Sequence, residues 1–161
     1  MIAVTIVALA ILAYTYLGYP LVLALCARLR PLRIHKDRGF SPVVSAIIPA
    51  YNAADTLDAT LRSVRSQTEA DLEVLVVDDG SADATSAVID THAEVDSRVR
   101  RLDLGGNRGR SAARNAAIEE VSGEWVAFLV ADDLWPADRL EQLLGAAGRH
   151  PGCRVVFDDR I

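Results

Sequence analysis

The chain has 161 residues, room for one ordinary domain and little more. Its formal net charge is −5, and the positive charge concentrates before residue 39, so the remainder is more acidic than the total and lacks the basic face of a nucleic-acid binder. Its two cysteines, Cys26 in an apolar run and Cys153 near the end, form no sensible disulfide, which fits a reducing compartment.

From Met1 to Ala27 there is no charged side chain, and this run exceeds the roughly 20 apolar residues that cross a bilayer as a helix. A secretory signal would begin with basic residues and carry an apolar core of only about 7–15 residues. Leu25, just before Cys26, is too large for a lipidated-cysteine signal. The run therefore predicts one transmembrane helix, with Tyr14, Tyr16 and Tyr19 as interfacial or packing aromatics. Gly18 with Pro20 marks a kink or the start of a re-entrant piece. Arg28, Arg30, Arg33, Lys36 and Arg38 follow against a single Asp37, which places residues 28 onward in the cytoplasm. The division is a membrane anchor over 1–27, a basic juxtamembrane linker over 28–41 and a soluble domain over 42–161.

In the soluble part, VVSAIIP reads as a buried strand stopped by Pro49, which cannot donate to a central ladder. Leu57, Leu61 and Val64 then recur at i, i+4 and i+7, a helix with Asp55 available as its N-cap. LEVLVV is a second buried strand ending in DDGS, and Asp83 to His92 a second helix with Val88 and Ile89 inward. VRRLDL is a third strand, and RSAARNAAIEEV a helix whose small face of Ala112, Ala113, Ala116 and Ala117 lies close to a sheet. EWVAFLV is the fourth strand and PADRLEQLLGAA the fourth helix, with Pro136 in the first turn and Leu140, Leu143 and Leu144 inward. CRVVF opens a fifth strand. Alternating strands and helices predict an α/β fold, a mostly parallel sheet with flanking helices.

Three polar stations follow strands one, two and four, and right-handed crossovers bring such positions to one rim of the sheet. In PAYN, Tyr51 is either core or a flat face on which a base stacks. In DDGS, the residues either form a tight turn, with Ser81 or Asp83 as cap, or present Asp79 to the N–H of a base or the hydroxyls of a ribose while Asp78 steadies the turn. In ADD, Asp132 and Asp133 either cap a helix or hold Mg²⁺ or Mn²⁺, which at phosphate sites takes one or two protein carboxylates. GGNRGRSAARN adds Arg108, Arg110 and Arg114 around a helix N-terminus that favours anions, or else a flexible loop of solvated arginines. His35, His92 and His150 show no metal-ligand spacing and receive no role.

Taken together, VVSAIIPAYNAADTLDATLRSVRSQT, LEVLVVDDGSADAT and NRGRSAARNAAIEEVSGEWVAFLVADDLWPADRL resemble the family 2 glycosyltransferases over about residues 42 to 145. The apolar TYLGYPLVLAL is similar to the anchor preceding such domains in membrane-bound members. The resemblance implies a GT-A fold with a Rossmann-like nucleotide-binding half. It implies that Pro49, Tyr51 and Asp79 contact the base and ribose, and that basic residues such as Arg110 and Arg114 lie by the pyrophosphate or base. Asp132, with Asp133 beside it, matches the metal-binding end of the family's D-x-D motif, the metal bridging the diphosphate. Val130 stands where many members carry the first Asp. The family's general base lies further along the chain, which implies a base beyond Ile161 and a truncated or N-terminal portion. Asp158 and Asp159 are candidates by residue type only.

The expectation is an inverting, metal-dependent glycosyltransferase at the inner cell membrane with its soluble domain cytoplasmic. Its donor is a UDP-sugar or another nucleoside diphosphate sugar, and its acceptor a saccharide or a lipid-linked one. One alternative is a non-catalytic nucleotide-sugar-binding remnant or pseudoenzyme lacking the acceptor half. Another is a phosphatase or phosphotransferase with Asp78 as nucleophile.

Overall fold

A computed structural model describes residues 5–7, 11–12, 14–29, 42–68, 71–150 and 152–157. Most of the basic linker, His35, Asp158, Asp159 and parts of the apolar run lie outside the described residues. The chain divides into two units, Met1–Ile34 and His35–Ile161.

In the first unit a π-helical turn, Tyr14–Gly18, leads into helix α1, Tyr19–Leu29. Pro20 sits in the first turn of α1, where its missing N–H has no intrahelical partner to lose. Among the described residues no helix is long and apolar enough to cross a membrane. The apolar side chains Ile6, Ile11, Leu17 and Leu21 are all more than half exposed.

The second unit is built as β1 (Val44–Ala50), α2 (Ala54–Arg65), β2 (Leu72–Asp78), α3 (Thr85–Val95), β3 (Val99–Asp103), α4 (Arg110–Glu120), β4 (Trp125–Phe128) and α5 (Arg139–Gly148). The sheet is parallel throughout, in the order β3-β2-β1-β4. Because β1 and β2 are central, both faces are covered, and their continuous Val/Ile/Leu runs are buried almost without interruption. On one face Ala46, Ile48, Val74 and Val76 pack against Leu57, Leu61 and Val64 of α2, Ile89 of α3, and Leu140 and Leu144 of α5. On the other, Ile47, Leu75 and Val77 meet Ala113 and Ala117, whose small side chains let α4 lie close to the sheet. Each fully buried aliphatic side chain contributes about 1.5–3 kcal/mol.

Several local expectations change. Pro49 lies inside the central strand β1, in register with Val77. The odd-numbered residues turn their backbone groups toward β4: the carbonyls of Val43, just before β1, and of Ile47 accept the Trp125 and Leu129 N–H at 3.2 and 3.1 Å. The β4 ladder ends with Phe128 opposite Ile47, so Pro49 faces a position where no donor is needed. Asp55 is in the first turn of α2 and not its cap. The helix is capped from the start of α3 and the loop before it, since Thr85 Oγ1 accepts the Ala53 N–H at 2.8 Å and Asp83 Oδ2 the Ala54 N–H at 3.1 Å. Helix α5 begins at Arg139, three residues after Pro136, and Leu143 is only half-buried. Residues 153–157 form no strand: Val155 and Phe157 share a groove with Val126 and Phe128 of β4, but ladder bonds are missing there.

The N-terminal edge of the sheet is closed by matched polar groups. Glu73 accepts bonds from Ser45 Oγ at 2.7 Å, Arg100 Nε at 2.9 Å and the Ser122 N–H at 3.1 Å. Burial pushes its carboxyl up, but Ser45, Ser122 and Arg100 hold it below the ordinary range. Between α2 and α3, buried His92 bridges Asp58 and Arg65, at 3.0 and 3.1 Å.

Candidate functional site

The strand order reverses at β1: β2 and β3 lie on one side of it and β4 on the other. In open parallel sheets the loops at the C-terminal strand ends diverge at such a point and leave a crevice. Here a cavity of about 440 Å³ occupies it. Its walls are Pro49–Ala53 and Thr56 from the β1 side, Asp79 after β2, Asn107, Gly109 and Arg110 before and at the start of α4, and Val130–Asp132 after β4. The three polar stations thus meet in one place.

Tyr51 is half exposed at this cavity. The next residue, Asn52, has φ +49°, a left-handed conformation that Asn tolerates better than most residues. Asn52 also fastens the loop to its neighbour, donating its N–H to Ser81 Oγ and accepting the Ala82 N–H on Oδ1, both at 2.9 Å.

The two aspartates after β2 divide their work. Asp78 is buried, accepts the Ser81 N–H at 2.9 Å and Ser86 Oγ at 2.5 Å, and does not line the cavity. Burial pushes its carboxyl up, yet the Ser86 and Ser81 bonds hold it below the usual range. Buried beneath the turn and outside the cavity lining, Asp78 lacks the access to substrate that a nucleophile needs. Asp79 lines the cavity, and its two oxygens accept the Arg108 and Gly109 N–H at 2.7 and 2.8 Å. A carboxylate oxygen has further lone-pair capacity, so Asp79 holds the glycine-rich loop and still offers acceptors.

Among the arginines, Arg65, Arg98, Arg100 and Arg101 each pair with a carboxylate. Arg110 lines the cavity and has no carboxylate partner among the described residues. Arg114, one helical turn on, does not line the cavity; its guanidinium lies 5.3 Å from the centre of the Phe128 ring.

Asp132 and Asp133 part company after β4. Asp133 donates its N–H to the Val130 carbonyl at 3.1 Å, closing a turn, and does not line the cavity. Asp132 lines the cavity, is exposed, and has no partner for its carboxylate among the described residues. Val130 adds an apolar patch to the wall. Among the described residues no three or more His, Cys, Asp or Glu side chains cluster as a complete metal cage. The donor set fits a divalent ion held by one protein carboxylate and completed by phosphate oxygens and water.

Thr56, Thr60, Ser63 and Gln67 carry no motif, yet they attach α2 to the acidic loop. Thr56 and Thr60 donate to the Ala131 carbonyl at 2.9 and 3.0 Å. Their signal is a polar stripe one residue out of phase with the apolar stripe Leu57, Leu61 and Val64.

The Glycosyl transferase family 2 profile matches residues 45–158. Over 118 residues the chain is 41% identical to the succinoglycan biosynthesis protein ExoO of Rhizobium meliloti (strain 1021), covering 73% of this chain and 33% of that protein. Over 99 residues it is 42% identical to the UDP-Glc:alpha-D-GlcNAc-diphosphoundecaprenol beta-1,3-glucosyltransferase WfgD of Escherichia coli, covering 62% of this chain and 38% of that one. Among solved structures, the mannosyltransferase PcManGT from Pyrobaculum calidifontis, in complex with GDP-Man and Mn²⁺, superposes with a TM-score of 0.65 at 30% identity, covering 84% of this chain and 42% of that one.

Proposed function

The chain belongs to glycosyl transferase family 2, and from that premise we propose that residues 42–161 form the donor-binding part of an inverting transferase that moves a sugar from a nucleoside diphosphate to an acceptor hydroxyl. The observation that carries this reading is the cavity at the β1/β4 reversal, which gathers Tyr51, Asp79, Arg110 and Asp132. Tyr51 offers a ring face for the base, and Pro49 shapes the wall beneath it. Asp79 accepts from the base or ribose with its remaining lone pairs. Arg110, at the N-terminus of α4, meets the diphosphate, where free helix N–H groups add to its charge. Arg114, over the Phe128 ring and outside the cavity lining, is given no contact with the diphosphate. Asp132 holds Mg²⁺ or Mn²⁺ with the donor's phosphates, and Asp133 keeps the turn that presents it. The ion, when bound, supplies Lewis-acid stabilisation of the departing nucleoside diphosphate.

We propose a UDP-sugar as the donor, supported by the UDP-Glc in the name of WfgD; GDP-Man in PcManGT makes a guanosine donor the alternative. The acceptor is a saccharide or a lipid-linked one. That choice rests on the charge-free run over residues 1–27, whose apolar side chains are exposed where described and gain by entering lipid. With basic residues 28–38 following, the run anchors the chain in the inner membrane and leaves the transferase domain in the cytoplasm.

One observation favours a second reading, a donor-binding module without turnover. Of the two carboxylates lining the cavity among the described residues, Asp79 is assigned to the nucleotide and Asp132 to the metal, so neither remains as general base.

Calorimetric titration of the full chain in detergent with UDP and with GDP, with Mn²⁺ and then with EDTA, tests the donor site. Metal-dependent binding is expected, weakened about tenfold or more in Tyr51→Ala, since base–aromatic stacking contributes about 1–3 kcal/mol. Binding of neither nucleotide in the presence of metal overturns the reading. Nucleotide binding without transfer from any UDP- or GDP-sugar by the native protein isolated from its own membranes selects the module.

A further inference from the structure

The acidic loop is fastened along one stripe of α2 and the residues just past its end. Thr56 and Thr60 both donate to the Ala131 carbonyl, at 2.9 and 3.0 Å. Ser63 Oγ accepts the Trp135 N–H at 3.1 Å, and Gln67 Nε2 donates to the Pro136 carbonyl at 2.7 Å. These positions stand at i, i+4, i+7 and i+11, so they share one side of the helix. Seventy-one to seventy-five residues separate the two threonines from Ala131.

A threonine in a helix usually satisfies its hydroxyl on a carbonyl of the preceding turn. Here that local choice exists but is the longer one: Thr56 lies 3.4 Å from the Ala53 carbonyl and Thr60 3.4 Å from the Thr56 carbonyl. Both hydroxyls make their shorter bond across to Ala131. A carbonyl oxygen has two lone pairs, and the two threonines occupy both. The next side chain is Asp132, exposed at the cavity without a partner for its carboxylate among the described residues.

We propose that Thr56 and Thr60 are positioning residues that fix the Asp132 carboxylate for a divalent cation. The proposal rests on the reading of Asp132 as the metal-holding carboxylate. Once the peptide before Asp132 is held from two directions, only its side-chain rotations remain to be ordered when the ion and diphosphate arrive. An exposed carboxylate on an untethered loop would have to be ordered at that moment, at a cost in affinity.

The test measures Mn²⁺ affinity in the presence of UDP, by the electron paramagnetic resonance of unbound Mn²⁺, on the full chain in detergent. Groups that orient metal ligands typically change affinity about 10–100-fold when removed, so Thr56→Val with Thr60→Val is expected to weaken binding about tenfold or more. Thr56→Ser with Thr60→Ser restores the hydroxyls and stays within about twofold of the parent. In an Asp132→Ala background the valine changes have no further effect, because they act through that carboxylate. Thr60 is buried, so if the double valine variant does not fold, exposed Thr56→Val alone decides, with a weakening of about threefold or more expected. Folded valine variants that bind Mn²⁺ like the parent, while Asp132→Ala has lost it, overturn the proposal alone. Mn²⁺ affinity unchanged in Asp132→Ala overturns the metal reading and the proposal with it.

Discussion

Gln67 caps a helix to which it does not belong: its Oε1 accepts the Leu140 N–H at 3.1 Å, inside the first turn of α5. Asp138, at the N-cap position of that helix, makes no side-chain cap bond. Gln67 Nε2 meanwhile donates to the Pro136 carbonyl. Gln67→Ala leaves the buried Leu140 N–H unpaired, whereas the Pro136 carbonyl keeps the Arg139 N–H at 3.0 Å, and the change is expected to cost about 1–3 kcal/mol in urea unfolding. An unfolding free energy unchanged in Gln67→Ala would show that the cap bond contributes nothing.

Gly80 lies against the glycine-rich loop. A Cβ there would come 2.6 Å from the Gly106 Cα, and its φ is +76°. Gly105 has φ +66° but nothing within 4 Å of an added Cβ. Gly105→Ala therefore isolates the conformational cost, about 1–2 kcal/mol. Gly80→Ala adds overpacking of typically about 1–3 kcal/mol. Chemical denaturation of the two variants should rank Gly80→Ala as clearly the worse.

The bonds from Arg108 and Gly109 make Asp79 a loop anchor as well as a cavity wall. In Asp79→Asn one carboxylate oxygen becomes an NH₂ that faces a backbone donor. Loss of a hydrogen bond to a charged group costs about 1.5–3 kcal/mol. Amide hydrogen exchange should accelerate at Arg108 and Gly109 while the β1–β2 ladder keeps its protection. Unchanged exchange at both amides would dismiss the anchor.

Asp96 sets part of the acid stability. The Arg98 guanidinium bonds hold its carboxyl far below the usual carboxylate range; burial opposes them, and the Arg98 N–H and Arg65 add to them. A carboxyl with a lower pKa in the folded state than the unfolded value of about 3.9 stabilises fully above that value. The contribution is lost progressively as pH falls from there toward the folded pKa. Urea titrations from pH 7 to pH 2 should show stability falling below about pH 4, with a shallower fall in Asp96→Asn. The same variant should lose about 1.5–3 kcal/mol at pH 7. An identical acid slope in parent and variant would remove Asp96 as its source.

Much of the sheet was legible in the chain itself. The continuous runs at 44–50 and 72–78 specify strands buried on both faces, and Leu57, Leu61 and Val64 specify the helix face that covers one of them. Alternation of strands and helices implies parallel pairing, and parallel pairing sends Tyr51, Asp79 and Asp132 to one rim. Periodicity carries this because it records which side of a local element is buried.

Other features were decided only when distant segments met. Pro49 is tolerated in a central strand because β4 stops opposite Ile47, and the length of a neighbouring strand is not written near residue 49. Arg110 and Arg114 share a helix face in sequence, but Arg110 reaches the cavity while Phe128 takes Arg114. The caps of α2 and α5 come from Thr85, Asp83 and Gln67 on other elements. Thr56 and Thr60 meet Ala131 only because β4 is added beside β1, on the side away from β2, so that its trailing loop lies against α2. Hydrogen bonds depend on where a partner sits to within a few tenths of an ångström, and strand order, not residue spacing, sets that position.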